Sequence, residues 1–275
     1  MTSMTWFITG AGRGLGRAFV DGALAHGDRV VATARKPDEL ARALESHGDR
    51  ALVLTMDVND RPSVHAAVER ALEEIGPLDV VVNNAGYGLA GGIEEVSEEE
   101  ARAQFDTNFF GALWVTQAVL PHMRQRRSGH IIQISSVAGL TAGTGLGLYS
   151  ASKWALEAMS ESLANEVKPF GIKVTLVEPG GFRTDWRGDS MVRATPLADY
   201  DVVLESRRKA HSKSGGAAGD PVLAAQRIIE LVQLAEPPLR LILGNNAFDH
   251  AVAAYENRLS AFAAWESVSR SVDRN

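Results

Sequence analysis

Short apolar runs alternate with longer amphipathic segments along the 275-residue chain, and this alternation predicts an α/β fold. Several runs, such as Val80-Val81-Val82, are continuously apolar, which is typical of parallel strands buried on both faces. A glycine-rich turn follows the first apolar run and precedes the first amphipathic segment. Together these observations predict a Rossmann-type doubly wound parallel sheet of about seven strands with helices on both faces.

The apolar runs are the expected strands of this sheet. In chain order they are Thr5–Thr9, Arg29–Ala34, Ala51–Thr55, Val80–Asn83, His130–Ser135, Lys173–Glu178 and Leu239–Leu243. The amphipathic segments between them predict helices. These are Leu15–His26, Arg61–Ile75, Glu98–Arg126, Tyr149–Phe170 and Asp220–Leu234. Because no composition break or linker divides the chain, we expect a single domain over residues 1–275.

Two segments lie outside this alternation. Residues 183–219 are irregular and rich in polar and small residues, and a long segment of this kind predicts a lid over the substrate site. The C-terminal segment, at about 245–268, predicts a helix with an apolar stripe. The stripe consists of Phe248, Val252, Tyr255, Leu259 and Phe262. We interpret it as packing on its own domain, with a subunit contact or a wall of the substrate pocket as the alternatives.

Composition and charge restrict the class of function. A chain that is 45% hydrophobic and 23% charged is typical of a globular protein with a sizeable core, and its net charge of −6 disfavours nucleic acid or an anionic membrane as partner. The absence of cysteine excludes disulfides and thiolate chemistry, and the seven histidines show no ligand spacing, so no metal is predicted. No apolar run approaches the ~20 residues of a membrane span, and the N-terminus lacks a signal-peptide pattern. We therefore expect a cytoplasmic protein.

Tyr149 and Lys153 stand four residues apart, which puts both side chains on one face of a helix. A phenol has a pKa near ~10, too high for proton transfer at neutral pH. A nearby ammonium favours the phenolate, so we expect Lys153 to lower the pKa of Tyr149. The pair suits proton transfer in the interconversion of a carbonyl and an alcohol. Because such pairs also arise on ordinary exposed helices, the rest of the chain decides its meaning.

The first predicted strand ends in Thr9-Gly-Ala-Gly-Arg-Gly-Leu-Gly16. Glycines let a backbone approach a pyrophosphate, and the helix that follows presents free N–H groups to the anion. The strict Gly-x-Gly-x-x-Gly spacing is not met, because Leu15 interrupts it. Three glycines nevertheless stand at every second position before the helix, whereas an ordinary tight turn between a strand and a helix needs only one. The turn predicts a dinucleotide site.

Residues at the end of the second predicted strand bear on the choice of dinucleotide. An acidic residue there would bind the ribose hydroxyls of NAD and repel a 2′-phosphate. Arg35 can instead clamp a 2′-phosphate bidentately, and Arg13 in the glycine turn adds a second cation. We therefore predict NADP(H) in preference to NAD(H). The alternative is that Arg35 and Lys36 form a solvated helix entry, with Asp38 and Glu39 close enough to oppose an anion.

Polar motifs end two further strands. Asn83-Asn84-Ala85-Gly86 follows the fourth, where small residues permit close approach of a flat ligand and asparagines can tie strand ends together. Ser135-Ser136 ends the fifth, 13 residues before Tyr149, and a hydroxyl there could bond a substrate carbonyl oxygen. Each motif alone is also typical of an ordinary strand-ending turn.

Taken together, the motifs resemble those of the short-chain dehydrogenase/reductase family, in its single-domain branch. The resemblance runs from Thr5 to about Leu243. Its motifs follow the family's order and spacing: T-G-x-x-x-G-x-G at Thr9–Gly16, N-N-A-G at Asn83–Gly86, Asn108, Ser136, Y-x-x-x-K at Tyr149/Lys153 and P-G-x-x-x-T at Pro179–Thr184. Any one of these is a weak signal, whereas all six together are very specific.

The resemblance implies a catalytic set. Tyr149 is the general acid in reduction and the general base in oxidation, while Lys153 lowers its pKa and holds the nicotinamide ribose. Ser136 orients the substrate oxygen, and Asn108 fixes a water in a proton relay leading to Lys153.

The resemblance also implies the residues that hold the cofactor. At the pyrophosphate and ribose lie Gly10, Gly14, Leu15 and Gly16. At the adenine lie Asp57 and Val58. At the nicotinamide half lie Asn84, Ala85, Gly86, Tyr149, Lys153, Pro179, Gly180 and Thr184.

The prediction that results is an NADP(H)-dependent oxidoreductase that interconverts a ketone or aldehyde and an alcohol. The stretch from Pro179 to Trp186 is similar to that of the hydroxysteroid-dehydrogenase-like subset, which favours an apolar small-molecule substrate. Val137, Leu140, Leu146 and Trp186 are candidate pocket contacts, or else ordinary core. Family members commonly pair through their long helices, so we expect a homo-oligomer, either a dimer or a tetramer.

Three alternatives stay open on the sequence. An epimerase or dehydratase of the family's extended branch would need glycine at position 13, where Arg13 stands. A redox-sensing or scaffolding protein would bind the dinucleotide with little turnover, which the complete Ser136, Tyr149 and Lys153 set disfavours. An NAD-dependent alcohol dehydrogenase would differ in cofactor alone.

Overall fold

A computed structural model describes residues 3–184, 188, 190–202, 205 and 218–273. Its strands are β1 Thr5–Ile8, β2 Arg29–Ala34, β3 Ala51–Thr55, β4 Val80–Asn83, β5 Gly88–Ala90, β6 Gly129–Ile134, β7 Ile172–Pro179, β8 Met191–Arg193 and β9 Arg240–Leu243. Its α-helices are α1 Gly14–His26, α2 Asp38–Leu44, α3 Arg61–Glu74, α4 Glu98–Phe105, α5 Gly111–Arg126, α6 Gly147–Val167, α7 Pro221–Val232, α8 Asn245–Ala264 and α9 Glu266–Arg270.

Seven parallel strands form the main sheet, in the order β3-β2-β1-β4-β6-β7-β9. Chain order runs outward in opposite directions from β1 and β4, so the topological switch point lies between these two strands. The predicted doubly wound sheet is therefore confirmed. Sequence reasoning missed α2, which buries only Leu40 and Leu44 and is too short to show a helical period.

Two apolar cores cover the two faces of the sheet. Trp6 and Ile8 point to the face covered by α1 and α7, whereas Phe7 points to the face covered by α3, α5 and α6. Alternate residues of one buried strand thus enter different cores. This is why the strands read as continuous apolar runs.

A π-helical turn, Asp106–Phe110, interrupts the segment predicted as one long helix at Glu98–Arg126. The turn separates α4 from α5 and carries Asn108, which is 1% exposed. π-Bulges of this kind are frequent at functional sites, because they shift a side chain out of the helical register. Periodicity could not place the interruption, since apolar residues continue through it.

The two ends of the segment at 183–219 lie next to each other. A bridge pairs Phe182 with Gly219, and Arg183 forms an ion pair of 2.6 Å with Asp220. Within the segment, β8 pairs in parallel with β5, and the Tyr200 hydroxyl donates to Glu94 at 2.8 Å. Much of the predicted lid, including Trp186, lies outside the described residues.

The C-terminal helix is present, as α8 followed by α9. Our interpretation that its apolar stripe packs on its own domain is wrong, because all five stripe residues are exposed, from 40% for Val252 to 68% for Phe262. The helix buries small residues instead, Ala247 and Ala251, on another face. In the described part of the chain, no helix is long and apolar enough to cross a membrane.

Candidate active site

The glycine turn after β1 is packed against the loop that follows β4. A methyl group at Gly10 would lie 2.8 Å from the Cα of Ala85, and one at Gly16 would clash with the Gly10 carbonyl. Gly10 and Gly14 have φ angles of +63° and +59°, which favour glycine. These three positions therefore need glycine for close packing and turn geometry. The N-terminus of α1 follows at once, with no acidic residue in its first turn.

Side-chain hydrogen bonds tie the Asn83–Gly86 loop to that turn, as the sequence predicts. The Thr9 hydroxyl accepts from the backbone N–H groups of Asn84 and Ala85, each at 2.9 Å. The Asn84 amide donates to the carbonyls of Thr9 at 2.9 Å and Gly10 at 3.1 Å. The two loops thus form one rigid cradle at the switch point, where doubly wound folds bind nucleotides.

The candidate cofactor residues beyond the cradle line the same edge of the sheet. Thr184 reaches Gly14, since a methyl group there would lie 3.8 Å from the threonine Cβ. Asp57 follows β3 and accepts from the Asn59 backbone at 3.0 Å, while Val58 packs against Gly111. Gly180 is held by a hydrogen bond from its N–H to the Leu243 carbonyl at 2.9 Å.

Two candidate 2′-phosphate ligands are exposed. Arg35 follows β2, and Arg13 is the N-cap of α1. The Arg35 charge lowers the pKa of Tyr87, although burial and then Asp106 and Glu100 raise it overall. Arg35 is therefore close enough to Tyr87, in the chain after β4, for its charge to act there.

Ser136 caps a short 3₁₀ turn, Val137–Gly139, at the end of β6. Its hydroxyl accepts from the Ala138 N–H at 3.1 Å and lies 3.5 Å from the Pro179 carbonyl. A side-chain hydrogen bond also joins Ser136 to Tyr149. The structure thus brings together Ser136, Tyr149 and the Pro179 strand end, which the sequence separates widely.

Tyr149 lies in the first turn of α6 and is 7% exposed. Burial raises its pKa to about 12, and the hydrogen bond to Ser136 opposes this rise. The expected lowering of this pKa by Lys153 is not seen, and desolvation of the phenolate dominates instead. Tyr149 is a protonated phenol at neutral pH, the form required of a general acid.

Lys153 lies one turn further along α6 and is 5% exposed. Its Nζ donates to the Ile134 carbonyl at 2.7 Å, and a methyl group at Gly86 would lie 3.6 Å from it. Burial lowers the pKa of Lys153 to about 8, and the negative charge of Glu157 opposes this lowering. The ammonium thus lies beside the cradle.

The Asn108 side chain is engaged with the protein itself. Its Nδ2 donates to the Tyr87 carbonyl at 3.0 Å and to Ser152 Oγ at 3.2 Å, while its Oδ1 accepts from the Tyr87 N–H at 3.0 Å. Ser152 in turn donates to the Tyr149 carbonyl at 2.7 Å. The amide therefore joins the π-helical turn, the loop after β4 and α6.

Sequence reasoning missed a cluster of charged residues behind Lys153. Glu157 and Glu178 are 5% and 0% exposed, and both face Arg240. One signal was available, because Glu157 continues the four-residue spacing of Tyr149 and Lys153.

Among the described residues, no group of three His, Asp or Glu side chains is placed to hold a metal ion.

A doubly wound sheet with a glycine cradle at its switch point, and a buried serine, tyrosine and lysine beside it, defines a class. These are enzymes in which a nicotinamide dinucleotide transfers a hydride and the protein supplies position and a proton.

Comparison with known proteins gives the family. The model of the short chain dehydrogenase family matches residues 5–193, more than half of the chain, and the protein belongs to this family. It is accordingly an oxidoreductase acting on CH–OH groups with a nicotinamide dinucleotide as acceptor.

Relatives of the chain carry several activities in their names. An oxidoreductase of Botryotinia fuckeliana is 41% identical over 269 residues, covering 96% of this chain and 97% of the relative. A 3-ketodihydrosphingosine reductase of Bacteroides thetaiotaomicron is 38% identical, covering 86% of each. Human retinol dehydrogenase 8 is 37% identical, covering 86% of this chain and 80% of the relative.

Solved structures agree with the fold. A short-chain dehydrogenase from Streptomyces avermitilis is 38% identical, with a TM-score of 0.92 and full coverage of both chains. An alcohol dehydrogenase from Thermococcus sibiricus, in complex with 5-hydroxy-NADP, is 25% identical, with a TM-score of 0.74 and coverage of 88% and 97%. A Burkholderia phymatum protein in complex with NAD shares the fold at 24% identity, with a TM-score of 0.81 and coverage of 94% and 95%. Structures of this fold thus include complexes with either dinucleotide.

Proposed function

We propose that the protein is an NADP(H)-dependent enzyme that interconverts an apolar ketone or aldehyde with its alcohol. The observation that carries the proposal is the meeting of Ser136, Tyr149 and Lys153 beside the Gly86 end of the cradle. Their residue types suit proton transfer at a carbonyl oxygen next to a bound dinucleotide. When bound, the nicotinamide supplies or accepts the hydride.

In the reductive direction, residues of the protein orient and protonate the carbonyl oxygen of the substrate. The Tyr149 hydroxyl donates its proton to the carbonyl oxygen as that oxygen gains charge, and Ser136 orients the same oxygen by a hydrogen bond. Lys153, as a buried cation, lowers the energy of the tyrosinate that forms. The residues are linked before substrate arrives, because the Ser136–Tyr149 hydrogen bond already holds the two hydroxyls together.

The cradle fits the cofactor. The glycine turn leads directly into the N-terminus of α1, whose free N–H groups can bind a pyrophosphate, and the first turn of α1 carries no acid to repel that anion. We assign Gly10, Gly14, Leu15 and Gly16 to the pyrophosphate and ribose. The remaining cofactor residues are Arg13, Arg35, Asp57, Val58, Asn84, Ala85, Gly86, Tyr149, Lys153, Pro179, Gly180 and Thr184.

An apolar substrate is supported by the surroundings of Ser136 and by relatives that are named for lipid-like substrates. Leu140 is 3% exposed, and Val137 and Leu146 are half-buried near the serine turn. The retinol dehydrogenase and the ketodihydrosphingosine reductase are named for long apolar molecules. The lid predicted at residues 183–219 lies largely outside the described residues and stays a prediction.

Turnover tests the reaction. Purified protein with NADPH is offered aromatic, steroid, long-chain and short polar ketones, and loss of NADPH absorbance is followed. We expect reduction, with the apolar ketones preferred. Tight NADPH binding with no turnover of any carbonyl would instead favour a redox-sensing or scaffolding protein.

Cofactor choice is tested by Arg35→Ala, with Lys36→Ala as the matched neighbour. A charge-assisted contact contributes about 1.5–3 kcal/mol, so NADPH should bind about tenfold or more weakly to Arg35→Ala, with NADH affinity unchanged. Isothermal titration of both cofactors measures this. If NADPH affinity survives the change, or if the wild type prefers NADH, an NAD-dependent alcohol dehydrogenase is the better assignment.

We also propose that the protein assembles as a homo-oligomer through α5 and α6. Trp154 on α6 is 40% exposed, and Phe110, at the start of α5, is 38% exposed and stacks on Trp114 at 5.8 Å between ring centroids. Sedimentation equilibrium distinguishes a monomer from a dimer or tetramer.

A further inference from the structure

Helix α6 continues its active-site face toward the surface with two carboxylates. Tyr149, Lys153, Glu157 and Glu161 recur every four residues, so they lie along one face of the helix. The Lys153 and Glu157 residues are each 5% exposed, whereas the Glu161 side chain is 57% exposed. The row therefore runs from the catalytic pair, through a buried acid, to solvent.

Glu157 meets a second buried acid at the shared guanidinium of Arg240. The Nε of Arg240 lies 3.1 Å from Glu157 Oε2 and 3.8 Å from Glu178 Oε1, while its Nη2 lies 2.7 Å from Glu161 Oε2. Glu178 is fully buried and stands at the end of β7, one residue before Pro179. The cluster thus connects the lysine helix with the strand end that faces the cofactor site.

Both buried carboxylates share the one guanidinium, and placing two like charges so close together disfavours ionisation of both at once. Burial, and then repulsion from Glu157, raise the pKa of Glu178 to about 8. Burial also raises the pKa of Glu157, but Ser135, Arg240 and Lys153 oppose that rise. The groups around Glu157 therefore favour its ionised form, whereas the surroundings of Glu178 favour its neutral form.

Glu157 also packs under the turn that carries Ser136. A methyl group at Gly139 would lie 3.1 Å from Glu157 Cγ and 2.6 Å from Ser135 Oγ. The carboxylate therefore lies against the serine turn, and its charge acts on Lys153. Its loss would alter the charge beside the lysine more than it would alter the shape, provided that an isosteric amide replaces it.

We propose that Glu157 is a positioning residue for the reaction, whose carboxylate, held at Arg240 beside Glu178, keeps the buried Lys153 in its cationic form. The proposal rests on the proposed function for its catalytic consequence, though the charge coupling can be measured without turnover. Among the described residues, the charged and titratable groups that face this site are Tyr149, Glu157 and Glu161 from α6, Glu178 from β7 and Arg240 from β9.

The direct test measures the protonation of Lys153. The chain has six lysines, so a ¹³C-lysine NMR titration of the free protein resolves few signals, and Lys153→Arg assigns the one of interest. In Glu157→Gln the pKa of Lys153 should fall by about one pH unit or more, because an opposite charge has been removed. In Glu178→Gln it should stay near its wild-type value, since Glu157 and not Glu178 is the charge that acts on Lys153. Glu161→Gln, which removes an exposed partner of Arg240, is the matched control and should also leave it unchanged.

Activity gives the second readout. Reduction requires Lys153 in its charged form, so the alkaline limb of kcat/KM should move to lower pH in Glu157→Gln by the same amount, with the limb unmoved in Glu178→Gln and Glu161→Gln. Glu157→Asp, which keeps a carboxylate, should return the alkaline limb part of the way to its wild-type pH. A residue that only supports packing would lower thermal stability without moving the limb.

The outcomes separate the two proposals. An unchanged Lys153 pKa in a folded Glu157→Gln protein would overturn the positioning role, even if the wild type reduces ketones. Equal shifts in all three glutamine variants would overturn it as well, since they would indicate a general loss of negative charge. A shift in the NMR titration without any carbonyl reduction by the wild type would overturn the proposed function and leave the coupling standing.

Discussion

Helices α6 and α7 both pack on the sheet, yet they bury opposite kinds of residue. The buried positions of α7 are wholly apolar: Ala224, Ala225, Ile228, Leu231 and Val232. Most buried positions of α6 are polar: Tyr149, Ser150, Ser152, Lys153, Glu157 and Ser160, beside Leu156, Leu163 and Val167. Burying polar and charged groups costs free energy unless they are paired. The contrast suggests a division of roles, in which α7 stabilises the fold and the N-terminal part of α6 carries the polar groups of the proposed reaction.

The largest expected effect comes from the polar helix. Tyr149→Phe removes the hydroxyl and keeps the ring, so kcat for ketone reduction should fall about 10²–10⁴-fold, the usual contribution of a placed acid. NADPH affinity and the melting temperature should remain close to those of the wild type. Tyr255→Phe, on the exposed face of α8, is the control and should be silent. Full activity in Tyr149→Phe would show that Tyr149 is not the proton donor of the reaction.

The apolar helix should respond in the opposite way. Ile228 is 1% exposed in the core between α1 and α7, so Ile228→Ala should lower the free energy of unfolding by about 2–5 kcal/mol. Since the side chain lies in the core, kcat per folded molecule should be unchanged. Urea denaturation and assays well below the transition measure both quantities. Val222→Ala, at an exposed position of α7, serves as control. A loss of kcat in Ile228→Ala without a loss of stability would contradict the purely structural role of α7.

A third test concerns His130, a polar residue buried within strand β6, and asks whether it contributes to stability rather than to the reaction. Burial, and then the charge of Lys173, lower the pKa of His130 to about 4. Its Nε2 lies 3.0 Å from Thr175 Oγ1, and that hydroxyl donates to the Pro238 carbonyl, so the histidine is the donor. In the unfolded chain His130 becomes protonated near pH ~6.5, whereas in the folded chain it becomes protonated only near pH 4. Unfolding free energy should therefore decline by about 3 kcal/mol as pH falls between these values.

Chemical denaturation at a series of pH values measures the decline. His130→Gln cannot titrate and should flatten the dependence, whereas His250→Gln, at an exposed position, should leave it as it is. An equal decline in His130→Gln would mean that other groups cause the acid sensitivity.

The order of motifs made the fold and much of the candidate site predictable. The Thr9–Gly16 turn, the Asn83–Gly86 loop and the Tyr149/Lys153 pair each depend on local spacing, and local spacing is visible in the chain. The π-helical turn around Asn108 was invisible, because the apolar pattern continues through it. The exposed stripe of α8 was misread for a related reason, since periodicity shows that a helix has an apolar face but not what that face meets.

The sequence by itself determined the parallel sheet, the glycine turn and the residue types of the candidate site, because these follow from periodicity and short spacings. Only the tertiary structure decided their environment. Glu157 and Glu178 come together at Arg240 from three different elements, and Tyr149 loses solvent to the point that its pKa rises instead of falling. Desolvation and long-range charge depend on what packs around a group, and no local pattern along a chain records that.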